Sequence, residues 1–290
     1  MQYIIKEDYT MNTIKILAIG NSFSQDATRY LHQFANAAGI DTKVVNLYIG
    51  GCPLERHWKN IENDEKAYGY ELNGTITERQ AAIDEVLAEE NWDYIITQQV
   101  SGESGWICSY DPFLGLVLNH IKEKVPNAKL MLHETWAYEI NSAHGNFMRY
   151  HRNQQEMYHM LHDCYTQMAD KYALDIIPSG TIIQKVRSLP EFNVPEGGLS
   201  LCRDGFHMSF DYGRYLLACV WTKKLFGISV KDVAYTPSTV ALKEAPDEKL
   251  LLFYVVLPIP KRRHPFYFLK NCRKIIAPIK AALLCYLCNR

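Results

Sequence analysis

Short apolar runs alternate with helical patterns along most of this chain. The run Ile14–Ile19 is closed by Gly20, and apolar side chains in residues 27–38 then recur at helical spacing until Gly39. A short apolar run that ends at glycine is typical of a buried strand, and the spacing after it is typical of a helix. The alternation repeats further along the chain, which favours a parallel sheet covered by helices.

The pattern predicts five strands in all. After the first strand we expect strands at residues 42–49, 93–97, 128–133 and 174–177, and later helices at 111–126, 147–172 and 211–226. Thr75-x-x-Glu78 resembles a capping box and predicts a helix that continues to Leu87. We therefore expect a three-layer α/β/α sandwich with a five-stranded parallel sheet, similar to flavodoxin, over residues 12–230. Right-handed crossovers would bring the carboxyl ends of the strands to one edge.

Ser22 lies in Gly20-Asn21-Ser22-Phe23-Ser24, at the turn from the first strand to the first helix. Such a turn can expose a hydroxyl at the carboxyl edge of the sheet, where unpaired amides can stabilise negative charge. This geometry suits a nucleophile. Asn-Ser before a helix is equally ordinary capping chemistry, so the serine alone leaves both interpretations open.

Asp204-Gly205-Phe206-His207 supplies the chemistry that an isolated serine lacks. Two residues between the aspartate and the histidine allow one short loop to present both side chains. The carboxylate can then hold the imidazole tautomer while the other ring nitrogen faces a serine. We predict a catalytic set of Ser22, Asp204 and His207.

With these two motifs the sequence resembles the SGNH (GDSL-like) hydrolase superfamily, and most of all its bacterial members that carry GNSFS in the first block. Members have a Gly-Asp-Ser block near the N-terminus and an Asp-x-x-His block near the end; here the first block reads Gly20-Asn21-Ser22. The resemblance implies an α/β/α fold and hydrolysis of esters, often acetyl or acyl groups on sugars or lipids. It implies no metal and no cofactor.

The resemblance also implies an oxyanion hole with three donors. Ser22 would supply its own amide, and Gly51 the second amide, with Gly50 as the close alternative. The family's third block, Gly-x-Asn-Asp, is not matched, because this chain has Gln98-Gln99-Val100-Ser101-Gly102 after the third predicted strand. The side-chain amide of Gln98 or Gln99 is expected to replace the asparagine.

Other polar and aromatic residues have two interpretations each. His133, Trp136 and Tyr138 follow the fourth predicted strand and either line a substrate pocket, where the aromatic rings would stack on a sugar, or pack structurally. The pair His159 and His162 is spaced to bind metal on one helix face, but it lacks an identifiable third ligand and is expected to be solvated. Arg187 and Arg203 could bind an acidic substrate. Alternatively, Arg203 could form a salt bridge with Asp204 and lower its pKa.

Composition favours a soluble enzyme: 48% of the 290 residues are hydrophobic and 22% are charged, enough for one sizeable core. Residues 251–290 contain eight Lys or Arg and no Asp or Glu, which leaves 23 basic against 32 acidic residues in 1–250, a formal charge of −9. An acidic body gives no reason to expect nucleic acid as a partner. The first residues are too charged for a signal peptide and the cysteines are scattered, so we expect a cytoplasmic location.

Residues 231–290 differ in character from the rest. The segment combines the apolar run 250–257 with Lys261-Arg262-Arg263 and further basic and apolar residues. The apolar run is too short to span a bilayer as a helix. We expect either a poorly ordered tail without selected structure, or a segment that contacts an anionic membrane surface or another subunit.

The leading hypothesis is a serine esterase of SGNH type that hydrolyses acyl esters, acetyl esters foremost, on small molecules or carbohydrates. The alternative is a catalytically weak carbohydrate-binding protein of the same fold, suggested by the missing asparagine. Sequence motifs for dinucleotide, nucleoside triphosphate or zinc-protease chemistry are absent. Gly-x-Ser-x-Gly is also absent, which disfavours the α/β-hydrolase fold.

Overall fold

A computed structural model describes residues 12–231, 233–235 and 237 of the chain. The basic and apolar segment predicted for residues 231–290 lies almost entirely outside the described residues. Within the described part, no helix has the length and apolar character needed to cross a membrane.

The centre of the fold is a seven-stranded mixed sheet in the order β4-β3-β2-β1-β5-β6-β7. Five strands are parallel: β1 (Ile14–Gly20), β2 (Thr42–Tyr48), β5 (Tyr94–Thr97), β6 (Lys129–His133) and β7 (Asp175–Ile177). The remaining two, β3 (Tyr68–Leu72) and β4 (Thr75–Ala81), form an antiparallel hairpin on β2. The five predicted strands are present, but the prediction of a five-stranded, wholly parallel sheet is wrong, because it omits the hairpin.

Eight α-helices connect and cover the strands of the described part. They are α1 (Ser22–Thr28), α2 (Leu31–Ala37), α3 (Leu54–Glu62), α4 (Ile83–Leu87), α5 (Phe113–Lys124), α6 (Gln154–Tyr172), α7 (Ser179–Val186) and α8 (Tyr212–Phe226). Alternate side chains of β1 enter different cores: Leu17 and Ile19 pack with residues of α4 and α5, whereas Ile16 and Ala18 pack with residues of α1, α2 and α8. Helices on both faces of the sheet make the predicted three-layer α/β/α arrangement.

The prediction that a helix begins at Thr75 is wrong. Residues 75–81 form β4, and α4 begins only at Ile83. The reason is Asn73-Gly74, whose backbone has φ of 51° and 78° and makes the tight turn between β3 and β4. Asn-Gly between two strands is a common hairpin turn, so the sequence did contain a pattern that favours the hairpin over the capping box.

Two longer predicted helices are interrupted. The helical pattern of residues 27–38 is divided between α1 and α2 at Tyr30, which has φ −114° and ψ 0° and donates its hydroxyl to Phe210 O at 2.6 Å. The predicted helix 147–172 is divided because His151 and Arg152 have positive φ, and α6 begins after Asn153, whose side chain caps it. Apolar periodicity continues across both breaks, which is why the sequence alone does not reveal them.

We predict that the hairpin turn is sterically intolerant at Gly74. A Cβ there would lie 2.1 Å from Arg29 O, in addition to the cost of a left-handed backbone, whereas a Cβ at Gly39 (φ 80°) would meet nothing within 4 Å. Gly39→Ala should lower the free energy of unfolding by about 1 kcal/mol. Gly74→Ala should lower it by at least about twice as much, because the neighbouring backbone must also move. Urea denaturation of both variants measures the difference, and equal losses would contradict the prediction.

Candidate active site

A cleft of about 430 Å³ opens at the carboxyl edge of the parallel strands. Its wall comes from the segments that follow β1, β2, β5 and β6 and from the loop before α8. Ser22, Gly51 and His207 all line it, so residues far apart in sequence meet in one place. This is the edge at which ligands bind in open α/β sheets.

Ser22 is the first residue of α1 and is half-buried. Asn21 precedes it in an extended conformation, and its Oδ1 accepts a hydrogen bond from Phe23 N at 3.0 Å. Capping of the helix is therefore done by Asn21, not by Ser22. This division of roles leaves the Ser22 hydroxyl at the cleft.

Asp204 and His207 form a hydrogen-bonded pair on the loop before α8. Asp204 Oδ2 lies 2.7 Å from His207 Nδ1, and Asp204 Oδ1 accepts hydrogen bonds from the backbone amides of Phe206 and His207 at 3.1 and 2.8 Å. Partial burial disfavours the carboxylate, but these hydrogen bonds outweigh it and lower the pKa of Asp204 to about 2. An ionised Asp204 holds the proton of His207 on Nδ1, which leaves Nε2 as the acceptor.

The loop around this pair is tightly fixed. Gly205 has φ of 89°, and a Cβ there would lie 2.9 Å from Ser142 Cα. Its carbonyl accepts from Glu139 N at 2.7 Å, and the carbonyl of Phe206 accepts from Trp136 Nε1 at 2.7 Å. These contacts anchor the loop on the segment that follows β6.

Asp26 connects α1 to the same loop. Its carboxylate is fully buried and accepts hydrogen bonds from Arg203 Nη1 (3.0 and 3.1 Å), Arg214 Nε (2.8 Å) and Met208 N (2.8 Å). The helix that begins with Ser22 is thereby joined to the loop that carries Asp204. Arg203 pairs with Asp26, so the interpretation in which it pairs with Asp204 is wrong. The sequence analysis missed Asp26, although a charged residue four positions after Ser22 was visible.

Gly50 and Gly51 reach the cleft from the loop after β2. Gly51 has φ of 63°, a conformation that L side chains rarely adopt, and no neighbour would meet a Cβ there. The loop is tied to the Ser22 turn because Asn21 Nδ2 donates to Cys52 O at 3.1 Å. The structure thus brings the predicted amide donors to the same cleft as Ser22.

Gln98 and Gln99 do not line the cleft, and each is only 1% exposed. Gln98 donates from Nε2 to Asn21 Oδ1 at 2.8 Å. Gln99 accepts at Oε1 from Leu54 N (3.1 Å) and Val100 N (2.8 Å) and donates from Nε2 to Ser109 O (2.8 Å). The geometry does not support the expectation that either amide serves an oxyanion, because both groups are used inside the protein.

The three residues predicted for a substrate pocket are separated by the structure. Tyr138 borders the cleft, although its side chain is 0% exposed, and burial raises the pKa of its hydroxyl to about 12, so it is a neutral phenol there. Trp136 is fully buried and stacks on Phe23, with ring centroids 4.1 Å apart, beneath the cleft. His133 is also fully buried and outside the lining. For His133 and Trp136 the packing interpretation applies.

Several cleft residues were missed by the sequence analysis. Phe206 and His144 form an aromatic wall, with ring centroids 4.5 Å apart, and Phe206 lies 4.0 Å from the ring of His207. Burial lowers the pKa of His144, and the nearby His207 lowers it further. Ser101 also lines the cleft, and its hydroxyl lies 3.0 Å from that of Tyr138. Their segments are irregular, so no periodicity points to them.

His162 and Arg187, two other residues considered in the sequence, form hydrogen bonds within the protein. His162 Nδ1 bonds to the buried Glu134 at 2.7 Å, and this hydrogen bond raises the pKa of His162. Arg187 is buried and donates to Ala137 O at 2.9 Å, away from the cleft wall. Among the residues that the structure describes, no group of three or more His, Cys, Asp or Glu is arranged to hold a metal ion.

Comparison with known proteins gives a family. The model of the family described as a domain of unknown function, DUF4886, matches residues 15–250. This chain belongs to the DUF4886 family. A crystal structure of a DUF4886 protein from Bacteroides uniformis is 40% identical, with a TM-score of 0.73 over 83% of this chain and 95% of that one. No curated protein has a matching sequence.

Structures named as hydrolases are similar at a greater distance. Axe2, an acetylxylan esterase from Geobacillus stearothermophilus, is 15% identical to this DUF4886 chain, with a TM-score of 0.46 over 74% of this chain and 96% of that one. A putative SGNH hydrolase from Slackia heliotrinireducens is 18% identical, with a TM-score of 0.49 over 74% of this chain and 100% of that one.

We predict that Asp26 is a major stabilising residue. Asp26→Asn would leave the buried guanidinium of Arg214 and the partly buried one of Arg203 without their carboxylate, at a cost of about 3–5 kcal/mol. Glu55→Gln is the matched control, because the Glu55–Lys59 pair is largely exposed (49% and 60%) and its loss should cost less than about 1 kcal/mol. Denaturant unfolding compares the two variants. A loss for Asp26→Asn as small as the control's would contradict this role.

Proposed function

We propose that this protein is a serine esterase of SGNH type that hydrolyses acyl esters through an acyl-enzyme. The observation that carries the proposal is the Asp204–His207 pair, at 2.7 Å, whose imidazole lines one cleft with Ser22 and Gly51. A carboxylate that holds imidazole Nδ1, with a serine in the same cleft, is the arrangement of a nucleophilic triad.

In the proposed reaction Ser22 Oγ attacks the ester carbonyl carbon while His207 Nε2 takes the serine proton. The tetrahedral intermediate collapses, the bond to the alcohol oxygen breaks, and His207 returns the proton to the leaving alcohol. Water then attacks the acyl carbon while His207 takes a proton from it. The bond to Ser22 Oγ breaks, His207 returns the proton to Ser22 Oγ, and the acid leaves. Asp204 remains ionised and stabilises the imidazolium in both steps.

Two backbone amides, those of Ser22 and Gly51, are the proposed oxyanion donors. The asparagine of the SGNH third block is absent from this chain, and the side-chain amides of Gln98 and Gln99 are hydrogen-bonded inside the protein. One missing oxyanion donor typically reduces turnover about 100- to 1,000-fold. We therefore expect a slow esterase unless another cleft group donates to the oxyanion.

The proposed substrates carry a short acyl group, acetyl foremost, on a carbohydrate or another small alcohol. A cleft of about 430 Å³ accommodates a sugar unit and a short acyl chain better than a long lipid. Tyr48 and Phe206 contribute aromatic surface to it, which suits the apolar face of a sugar ring.

A catalytically weak binding protein is the second candidate. It is supported by the internal hydrogen bonds of Gln98 and Gln99, because no side chain is then assigned as the third oxyanion donor. Equilibrium binding of acetylated oligosaccharides without release of acetate would favour it over the esterase.

We predict that Ser22 reacts covalently with a fluorophosphonate and that the purified protein hydrolyses a small aryl acetate. Ser22→Ala should abolish labelling and reduce turnover at least about 1,000-fold, because the nucleophile is gone. Ser188→Ala, at an exposed serine outside the cleft, should be labelled like the wild type. Equal labelling and turnover in the wild type and Ser22→Ala would exclude this function.

We also predict a large effect of Asp204→Asn. The amides of Phe206 and His207 would hold the new carboxamide oxygen, so its NH₂ group would face His207 Nδ1. The imidazole would then carry its proton on Nε2 and could not accept the serine proton. The value of kcat should fall about 100- to 10,000-fold while the fold is retained. Turnover within about threefold of the wild type would contradict the assigned role of Asp204.

A further inference from the structure

Four buried side chains form a hydrogen-bonded series beneath the cleft. They are Asn21, Gln98, His133 and Ser179, and none is more than 1% exposed. Successive members are 2.8 Å apart (Gln98 Nε2 to Asn21 Oδ1), 2.5 Å apart (His133 Nδ1 to Gln98 Oε1) and 3.0 Å apart (His133 Nε2 to Ser179 Oγ). The series begins at the Ser22 turn and ends at the first residue of α7.

The backbone partners of Asn21 identify the oxygen and the nitrogen of its carboxamide. Phe23 N can only donate, so the atom 3.0 Å from it must be Asn21 Oδ1. Cys52 O can only accept, so the atom 3.1 Å from it must be Asn21 Nδ2. Since Asn21 thus contacts both the Ser22 turn and the Gly51 loop, its position sets the spacing of the two proposed oxyanion amides.

The donor and acceptor roles of the later members of the series can be read from the orientation of Asn21. Gln98 must direct its NH₂ group to Asn21 Oδ1, so its carbonyl oxygen faces His133 Nδ1. His133 must then carry its proton on Nδ1, which leaves Nε2 to accept from the hydroxyl of Ser179. Each buried donor has one acceptor, and the direction of donation is uniform from Ser179 to Cys52 O.

We propose that Gln98 and His133 are positioning residues that hold Asn21 in the one orientation which joins the Ser22 turn to the Gly51 loop. They do not contact the substrate. Gln98, which the sequence suggested as an oxyanion donor, therefore affects the cleft only through its hydrogen bond to Asn21. This inference rests on the proposed esterase function.

Two variants of His133 separate the hydrogen bond from packing. Both lose the imidazole ring, which lies 4.9 Å from the ring of Trp221. His133→Asn retains an N–H near the place of Nδ1, whereas His133→Leu retains no donor. With an aryl acetate, His133→Leu should lower kcat about 10- to 100-fold with little change in KM, because the oxyanion amides are misplaced. His133→Asn should recover most of that loss.

A measurement on the wild type does not depend on activity. Nitrogen NMR of labelled protein should show His133 as a neutral imidazole protonated on Nδ1, the less common tautomer. Protonation on Nε2 would overturn the proposal even if neither variant folds. Equal kcat for the Leu and Asn variants, in an active wild type, would also overturn it.

These outcomes are distinct from failure of the proposed function. A wild type that neither hydrolyses esters nor reacts with fluorophosphonate would refute the esterase. The tautomer of His133 would still decide whether the series orders Asn21.

Discussion

The buried carboxylate of Asp26 holds together the two parts of the chain on which the cleft depends. It lies in α1 and accepts a hydrogen bond from Met208 N, 182 residues later, together with those from Arg203 and Arg214. A buried carboxylate is costly unless it is fully paired, and here its partners come from the loop of Asp204 and from α8. The position of Ser22 relative to His207 follows from this pairing.

A second constraint acts from beneath the cleft. Asn21 caps α1, accepts from Gln98 and donates to Cys52 O, so one carboxamide joins the segments after β1, β2 and β5. Buried amides of this kind have a single satisfied arrangement, which makes them rigid. Gln98, which the sequence suggested as an oxyanion donor, is used inside the protein as a partner of Asn21.

Patterns that depend on local physics were predicted well from the sequence. The five parallel strands, α8 and the pairing of Asp204 with His207 each follow from short-range periodicity or spacing, and the structure has all of them. The β3–β4 hairpin was missed because the Asn73-Gly74 turn directly precedes Thr75-x-x-Glu78, and the prediction rested on the capping box alone. The breaks at Tyr30 and His151 were missed because the apolar pattern passes through them unchanged.

The sequence by itself determined the class of the fold and the residue types of the candidate site. Strand periodicity specifies which side chains are buried, and the Asp-x-x-His spacing allows one loop to hold the pair. Only the tertiary structure decided which polar groups reach the cleft. Gln98, Gln99 and His133 are buried, whereas His144, Ser101 and Phe206 line the wall. The physical reason is that a carboxamide or an imidazole can form hydrogen bonds both in the interior and at the surface of a protein. Which of these locations it takes depends on partners that are distant in the sequence.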